Sequence, residues 1–245
     1  MSEPTFEWPE GKKAALSLTF DDARESQVDT GFPILDELGV RATFYVSFAP
    51  FERRLDEWKE AASAGHEIGN HSVNHPCSGN FRFSETNYLE EYTLDRMEKE
   101  LIEASDTIEG HIGIRPTTFA YPCGQTFVGR GEEARSYVPL VAKHFHLGRG
   151  FKGESPLHPL WGDMAQAPGV DFDGATFDDV KNFLNRAVDR NQWLLLAGHN
   201  VGHDPGQTVQ ADTLRQVCEY ALNPDNGLWI DTAARVAEYC RSKMT

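Results

Sequence analysis

Short apolar runs alternate with longer amphipathic stretches along this chain, and that alternation admits few folds. Ala14–Phe20, Ala42–Ser47, Thr117–Tyr121 and Trp193–Gly198 are rich in leucine, alanine, β-branched or aromatic residues and read as strands. Stretches at helical spacing lie between them: 28–38 stopped by Gly39, 53–64 stopped by Gly65, then 134–144, 178–191, 208–222 and 231–241. The longest helix is expected from Ser84 to Glu109, with Leu89, Tyr92, Met97, Leu101 and Ile108 recurring along one face. Repeated β-α units predict an α/β fold with a parallel sheet. No repeat, low-complexity tract or long linker divides the 245 residues, so residues 1–245 read as one domain, long enough to bury a large core.

The chemistry-bearing residues fall at strand ends. Asp21 and Asp22 follow the first strand, His71 follows the short run Glu67–Gly69, Pro122-Cys123-Gly124 follows the fourth, and His199 follows Gly198. In a parallel β/α barrel these positions meet at one face, where active sites form. His71 and His75 are four apart, so one helical turn would set both imidazoles on one side as ligands for a divalent metal, with Pro76 ending the turn. Each feature alone has a plainer reading: Asp21-Asp22 as a helix cap, the histidine pair as loop residues, His199 as a structural histidine. Their shared placement favours catalysis.

A net charge of −15 argues against nucleic acid and anionic membranes as partners. The four cysteines contain no C-x-x-C pair, which speaks against a zinc knuckle; whether Cys77 and Cys123 are bonded is open. Met1–Glu7 lacks a basic start and an apolar run, so the sequence reads as cytoplasmic as it stands, or secreted if a leader has been removed.

In order, Thr19-Phe20-Asp21-Asp22, His71-Ser72-Val73-Asn74-His75 and Leu194-Leu195-Leu196-Ala197-Gly198-His199 resemble the polysaccharide deacetylase family, the NodB-homology group classed with carbohydrate esterases of family four. The resemblance runs from about Ala14 to Tyr239. It implies a distorted, incomplete (β/α) barrel and metal-dependent removal of acetyl groups from carbohydrate, an N-acetyl amino sugar or an acetylxylan-type substrate. By motif position, Asp22, His71 and His75 are implied as metal ligands, Asp21 as general base and His199 as general acid. Zinc is the expected ion, with cobalt, nickel or iron also suited to two imidazoles and a carboxylate.

The chain departs from the family at Ala120-Tyr121-Pro122-Cys123-Gly124, where the usual motif carries an arginine at the alanine position and a tyrosine at the cysteine position. Arg149, between two glycines, is expected to replace the missing charge beside Asp21. Cys123 can offer its backbone N–H to an oxyanion; a nucleophilic thiol is the rival reading. Asp163 beside Trp161 is the first candidate for the carboxylate that orients His199, with Asp171 and Asp173 as alternatives. Trp161 and Tyr121 are candidate substrate contacts. The rival functions are an amidohydrolase acting on a small non-sugar amide, a non-catalytic carbohydrate-binding protein, and a metal-dependent phosphatase, for which the motif loops offer few cations. Oligomeric state is not readable from the sequence.

Overall fold

The computed structural model describes residues 5–84 and 86–244. Met1–Pro4, part of the segment read for a leader, and Glu85, within the expected start of the long helix, lie outside the described residues. The strands are β1 (Ala14–Asp21), β2 (Thr43–Val46), β3 (Glu67–Asn70), β4 (Thr118–Ala120), β5 (Phe127–Val128), β6 (Arg135–Ser136), β7 (Leu147–Arg149), β8 (Gly169–Asp171), β9 (Trp193–Gly198), β10 (Asn200–Gly202), β11 (Thr208–Gln210) and β12 (Leu228–Ile230). The helices are α1 (Phe32–Glu37), α2 (Phe48–Arg53), α3 (Leu55–Ser63), α4 (Leu94–Ile112), α5 (Val138–His144), α6 (Phe177–Arg190), α7 (Ala211–Leu222) and α8 (Ala233–Met244).

One all-parallel sheet runs β7-β4-β3-β2-β1-β9-β8, with β12 beside the first half of β1. A parallel bridge from Arg149 to Ala167 brings the approach to β8 against β7 and nearly closes the ring. The result is the distorted, incomplete (β/α) barrel expected from the sequence. Strand β1 pairs with β2, β9 and β12, and with β9 in unbroken register from Ala15↔Trp193 to Phe20↔Gly198. Period-two alternation sends Leu16, Leu18 and Phe20 to the main core, shared with residues of α1, α6 and α7. The alternate residues turn the other way. Ser17 accepts a hydrogen bond from Trp193 Nε1 at 3.1 Å, Thr19 donates to the Leu196 carbonyl at 2.7 Å, and Asp21 meets Arg149.

Gly169 explains how a short, weakly patterned strand finds its place. A Cβ there would lie 2.2 Å from the Gly150 carbonyl oxygen and 2.5 Å from Arg149 Cδ. Only glycine lets β8 pass this close to the arginine stem. This strand was not anticipated by its composition.

Several helix boundaries differ from expectation: the 134–144 and 208–222 stretches become helical only at Val138 and Ala211, their first residues passing through the short strands β6 and β11. The long helix is α4, beginning ten residues later at Leu94, where the Thr93 side chain accepts from Arg96 N, and ending at left-handed Gly113 (φ 81°). The preceding segment is instead tied back on itself, with Cys77 N–H donating to Asn87 O and Leu89 N–H to Cys77 O. The expected 53–64 helix is split at Arg54 (φ −124°), whose guanidinium pairs with Asp29 at 3.0 Å and Glu57 at 2.7 Å.

Candidate active site

Asp21 is the last residue of β1 and is buried. Its carboxylate accepts a hydrogen bond from the guanidinium of Arg149, which ends β7 and is fully buried. Arg149 also donates to the Gly150 carbonyl at 2.9 Å and lies over the Tyr45 ring, 5.1 Å from its centroid. The strand-end arginine thus stands where the sequence placed a substitute for the missing motif charge. Arg115, by contrast, pairs with Asp106 and Glu109 on the outside of the molecule.

Asp22 continues from β1 with φ 75°, its N–H held by the Tyr45 carbonyl at 2.9 Å. That left-handed step lets consecutive carboxylates serve one cavity. His71 Nδ1 donates to the Ala120 carbonyl at 2.8 Å, which leaves the Nε2 lone pair free. His71 Nε2 and His75 Nε2 stand 3.7 and 3.6 Å from the same Asp22 oxygen, Oδ1. Ser47 also donates to that oxygen at 3.2 Å.

The two histidines do not share the helical turn that their spacing suggested. Residues 71–76 form a loop with Ser72 (φ 63°) and His75 (φ 46°) in left-handed conformations. Side chains fix it: Asn70 Oδ1 accepts from Ser72 N–H at 2.8 Å, and Ser72 Oγ accepts from His75 N–H at 3.1 Å. Glu100, from α4, accepts from the backbone and side chain of Asn74 at 3.1 and 2.8 Å. Of the eight non-glycine residues described with positive φ, six belong to site loops: Asp22, Ala23, Ser72, His75, Cys123 and Lys152. Such conformations persist only where surrounding contacts over-determine them.

His199 follows β9. Its Nδ1 is 2.5 Å from Asp173 Oδ2, and its backbone N–H donates to Asp173 Oδ1 at 2.9 Å. Asp173 is therefore the carboxylate beside His199. Asp163, the first candidate from sequence, instead accepts from Ala165 N–H at 2.9 Å and Gln166 Nε2 at 3.1 Å, capping a short 3-10 turn. Two other expectations are also corrected. Tyr121 is buried in an aromatic cluster, its hydroxyl donating to the Ala165 carbonyl at 2.6 Å, and does not reach the cavity. Trp161 is 71% exposed, contacts His158 and lies outside the cavity lining. Sequence reading passed over Gln27, a buried amide that donates to the carbonyls of Asp21 (2.7 Å) and His199 (2.8 Å) and pins two strand ends together. A glutamine in an otherwise ordinary helix start gives no signal of that role.

Cys123 is disulfide-bonded to Cys77, with Cα atoms 6.2 Å apart. The bond removes the nucleophilic thiol reading. It also joins the loop carrying His75 to the loop carrying the Cys123 backbone, and Cys77 Sγ lies 3.6 Å from His75 Nδ1.

Burial alone would raise the Asp21 pKa, but Arg149, with His71 and His199, outweighs it and holds the carboxyl below its ordinary range. Asp22 follows the same pattern: burial opposes ionisation, and His71, His75 and Arg24 overcome it. Burial and neighbouring His71 push the His75 imidazole down to about 4, against the pull of Asp22. His199 goes the other way; burial lowers it, but the Asp173 hydrogen bond and the Asp21 charge raise it overall.

The donor set of Asp22, His71 and His75 suits a divalent cation. One ligand atom from each lies within 4.8 Å of the others, as three ligands around one ion require, and His75 stays unprotonated at neutral pH. The cavity above them, about 540 Å³, is lined by Asp21, Asp22, His71, His75, His199 and Cys123 on its floor, and by Phe81, Phe83, Phe151, Lys152, Arg24 and Gln207 at its walls.

Paired carboxylates, two histidines and a carboxylate-backed histidine thus meet at the strand ends of a parallel β/α barrel, an arrangement suited to acid–base chemistry. The chain belongs to the polysaccharide deacetylase family, whose sequence model matches residues 9–137. A gellan lyase from a Bacillus species is 30% identical over 97% of this chain, and the uncharacterized protein YlxY of Bacillus subtilis is 35% identical over 38% of it. The chain spans only 10% and 25% of the lengths of those two proteins. Among solved structures, a candidate polysaccharide deacetylase from Mycobacterium smegmatis superposes with a TM-score of 0.66 at 21% identity, covering 100% of this chain and 96% of that one. The Xyl-CE4 domain of a xylanase from the hindgut metagenome of Trinervitermes trinervoides gives 0.59 at 17% identity, covering 92% and 90%. The family 4 carbohydrate esterase of Streptomyces lividans gives 0.58 at 16% identity, covering 90% and 92%. At these identities the structural likeness speaks to the fold.

Proposed function

We propose that this protein is a metal-dependent deacetylase of carbohydrate, acting on an N-acetyl amino sugar or an O-acetylated oligosaccharide. The observation that carries the reading is the Asp22–His71–His75 triangle flanked by two separately tuned groups, Asp21 with Arg149 and His199 with Asp173. Asp22, His71 and His75 would hold a divalent cation, zinc or another transition ion, and a bound ion there supplies acidified water and a polarised acyl carbonyl.

Asp21 accepts the proton of the attacking water; Arg149 keeps its carboxylate ionised and ready to do so. The Cys123 N–H, turned by its left-handed backbone (φ 55°), is the donor for the oxyanion. Asp173 fixes the tautomer of His199 and favours its charged form, so His199 donates a proton to the departing nitrogen or oxygen. Opposite shifts on two neighbouring groups divide the acid and base roles between them.

The Cys77–Cys123 bond favours an oxidising compartment as the place of work, over the cytoplasm suggested by the sequence start. No helix of the described residues is long and apolar enough to cross a membrane.

The test is acetate release from acetylated chitooligosaccharides, acetylxylan and small N-acetyl compounds, by metal-stripped protein and after zinc or cobalt is restored. Metal-dependent release from a carbohydrate is expected. Tight metal binding with no release from any acetylated substrate would overturn the catalytic reading in favour of a binding protein. Release from non-sugar amides alone would overturn the substrate.

A further inference from the structure

Most large apolar side chains of this protein are buried, but Phe81 and Phe83 are 37% and 64% exposed. They sit side by side, with ring centroids 5.3 Å apart and planes tilted by 36°. Both line the cavity over Asp22, His71 and His75, whereas the more exposed Trp161 stands away from it.

Their loop is a built structure. The Cys77–Cys123 disulfide anchors its start beneath the cavity. Ser78 N–H donates to Gln125 Oε1 at 2.8 Å, and Ser78 Oγ donates to Glu90 at 2.5 Å. Two successive turns then present the rings, Phe81 N–H to Ser78 O and Ser84 N–H to Phe81 O, each 3.0 Å. Ser84 Oγ closes the loop onto the Cys77 carbonyl at 3.2 Å. Rings held open to water on a fixed loop at a cavity mouth mark a surface that a ligand covers.

The rest of the mouth is mixed in character. The phenylalanines follow β3, and Gln207 lies between β10 and β11, beyond β9, which is three strands from β3 round the ring in one direction and four in the other. Lys152, after β7, and Arg24, after β1, are also polar lining residues. An acyl chain would be served by apolar walls all round. Phe151, also after β7, adds a third ring to the lining, 5.4 Å from the His199 ring. Aromatic faces interleaved with amide and cationic groups suit an amphipathic ring, with C–H bonds on its face and hydroxyls at its edge.

We propose that Phe81 and Phe83 are the specificity-determining wall of this enzyme, stacking on the apolar face of the pyranose ring that bears the acetyl group. The proposal rests on the deacetylase reading and names how that site holds its sugar. These residues bind and position substrate; they take no part in proton transfer.

The test compares wild type with Phe81→Ala, Phe83→Ala, Phe83→Trp and Phe83→Leu on three substrates: an acetylated oligosaccharide, ethyl acetate, and 4-nitrophenyl octanoate. Loss of one stacking ring is expected to raise KM for the oligosaccharide about tenfold, with kcat unchanged. Hydrolysis of ethyl acetate should not change, and Phe83→Trp should restore KM where Phe83→Leu does not. Unchanged KM in both alanine variants overturns the proposal. Equal losses on ethyl acetate would reduce the rings to a structural role, and losses confined to the octanoate ester would assign the wall to an acyl chain. Calorimetric titration with the unacetylated oligosaccharide separates this proposal from the deacetylase reading. Should wild type release no acetate at all, sugar binding that is lost in the alanine variants still supports the wall, and binding that is equal or absent in all of them overturns it.

Discussion

Replacing Arg149 with methionine tests the base assignment at its foundation. Arg149 is 0% exposed and Asp21 4% exposed, so removing the guanidinium leaves a carboxylate buried without its partner. Breaking a buried pair in this way costs about 3–5 kcal/mol, a large part of the stability of a domain. The pH dependence gives the sharper signature. In the wild type the folded Asp21 pKa is lowered, so its contribution is present above the unfolded value of 3.8 and is lost as pH falls through the folded pKa. Without Arg149 the burial effect has less to oppose it, and the folded carboxyl takes a proton more readily than the unfolded one. The stability gap between wild type and variant should therefore be widest at neutral pH and narrow as pH falls. Urea melts of metal-free protein across a pH series measure this directly. Asp21→Asn combined with Arg149→Met removes both charges and should regain much of the single-variant loss. In kinetics, the acid limb of kcat/KM should move to higher pH in the Arg149 variant. A gap that does not change with pH, or an acid limb that stays in place, refutes the argument that this arginine tunes Asp21.

Asp21→Asn should keep the bound ion but lose turnover by about 10²–10⁴-fold, whereas His71→Ala should lose both, as metal analysis alongside acetate release would show. Asp173→Asn removes the largest of the interactions that raise the His199 pKa against burial, leaving the Asp21 charge, so the basic limb of the rate profile should move to lower pH; Asp163→Asn should leave it in place. Of the four cysteines, only Cys218 and Cys240 are free, so thiol titration of denatured, unreduced protein should find two. Reduction should lower stability by about 4 kcal/mol, from the 46-residue separation of Cys77 and Cys123, and this shows in urea melts with and without dithiothreitol.

The strand ends were the most readable part of the sequence. Trp193–Gly198 is the observed β9, because a run buried along its whole length must be apolar throughout. The inner face of β1 also follows from alternation, which fixes Asp21 inward. What failed was what local pattern cannot carry. The 71–76 loop has helical ligand spacing, but its shape is set by Asn70, Ser72 and Glu100, the last from a helix 26 residues away from Asn74. Asp163 and Asp173 are the same residue type in similar sequence surroundings; only the position of β8, allowed by Gly169, decides which carboxylate meets His199. The early start assigned to α4 followed apolar spacing at Leu89 and Tyr92, residues that do pack into a core, but from a loop and a 3-10 turn.

The Cys77–Cys123 bond makes the chain between them a closed covalent ring that contains all of α4 and β4. A protease cut at the exposed turn after α4, where Ile114 is 64% accessible, would open the backbone without releasing a fragment. The loop that carries His71 and His75 and the loop that carries the Cys123 backbone would stay tethered at their tips, whatever the helix between them did. On a gel, such a nicked molecule runs as one species until a thiol is added and as two pieces afterwards.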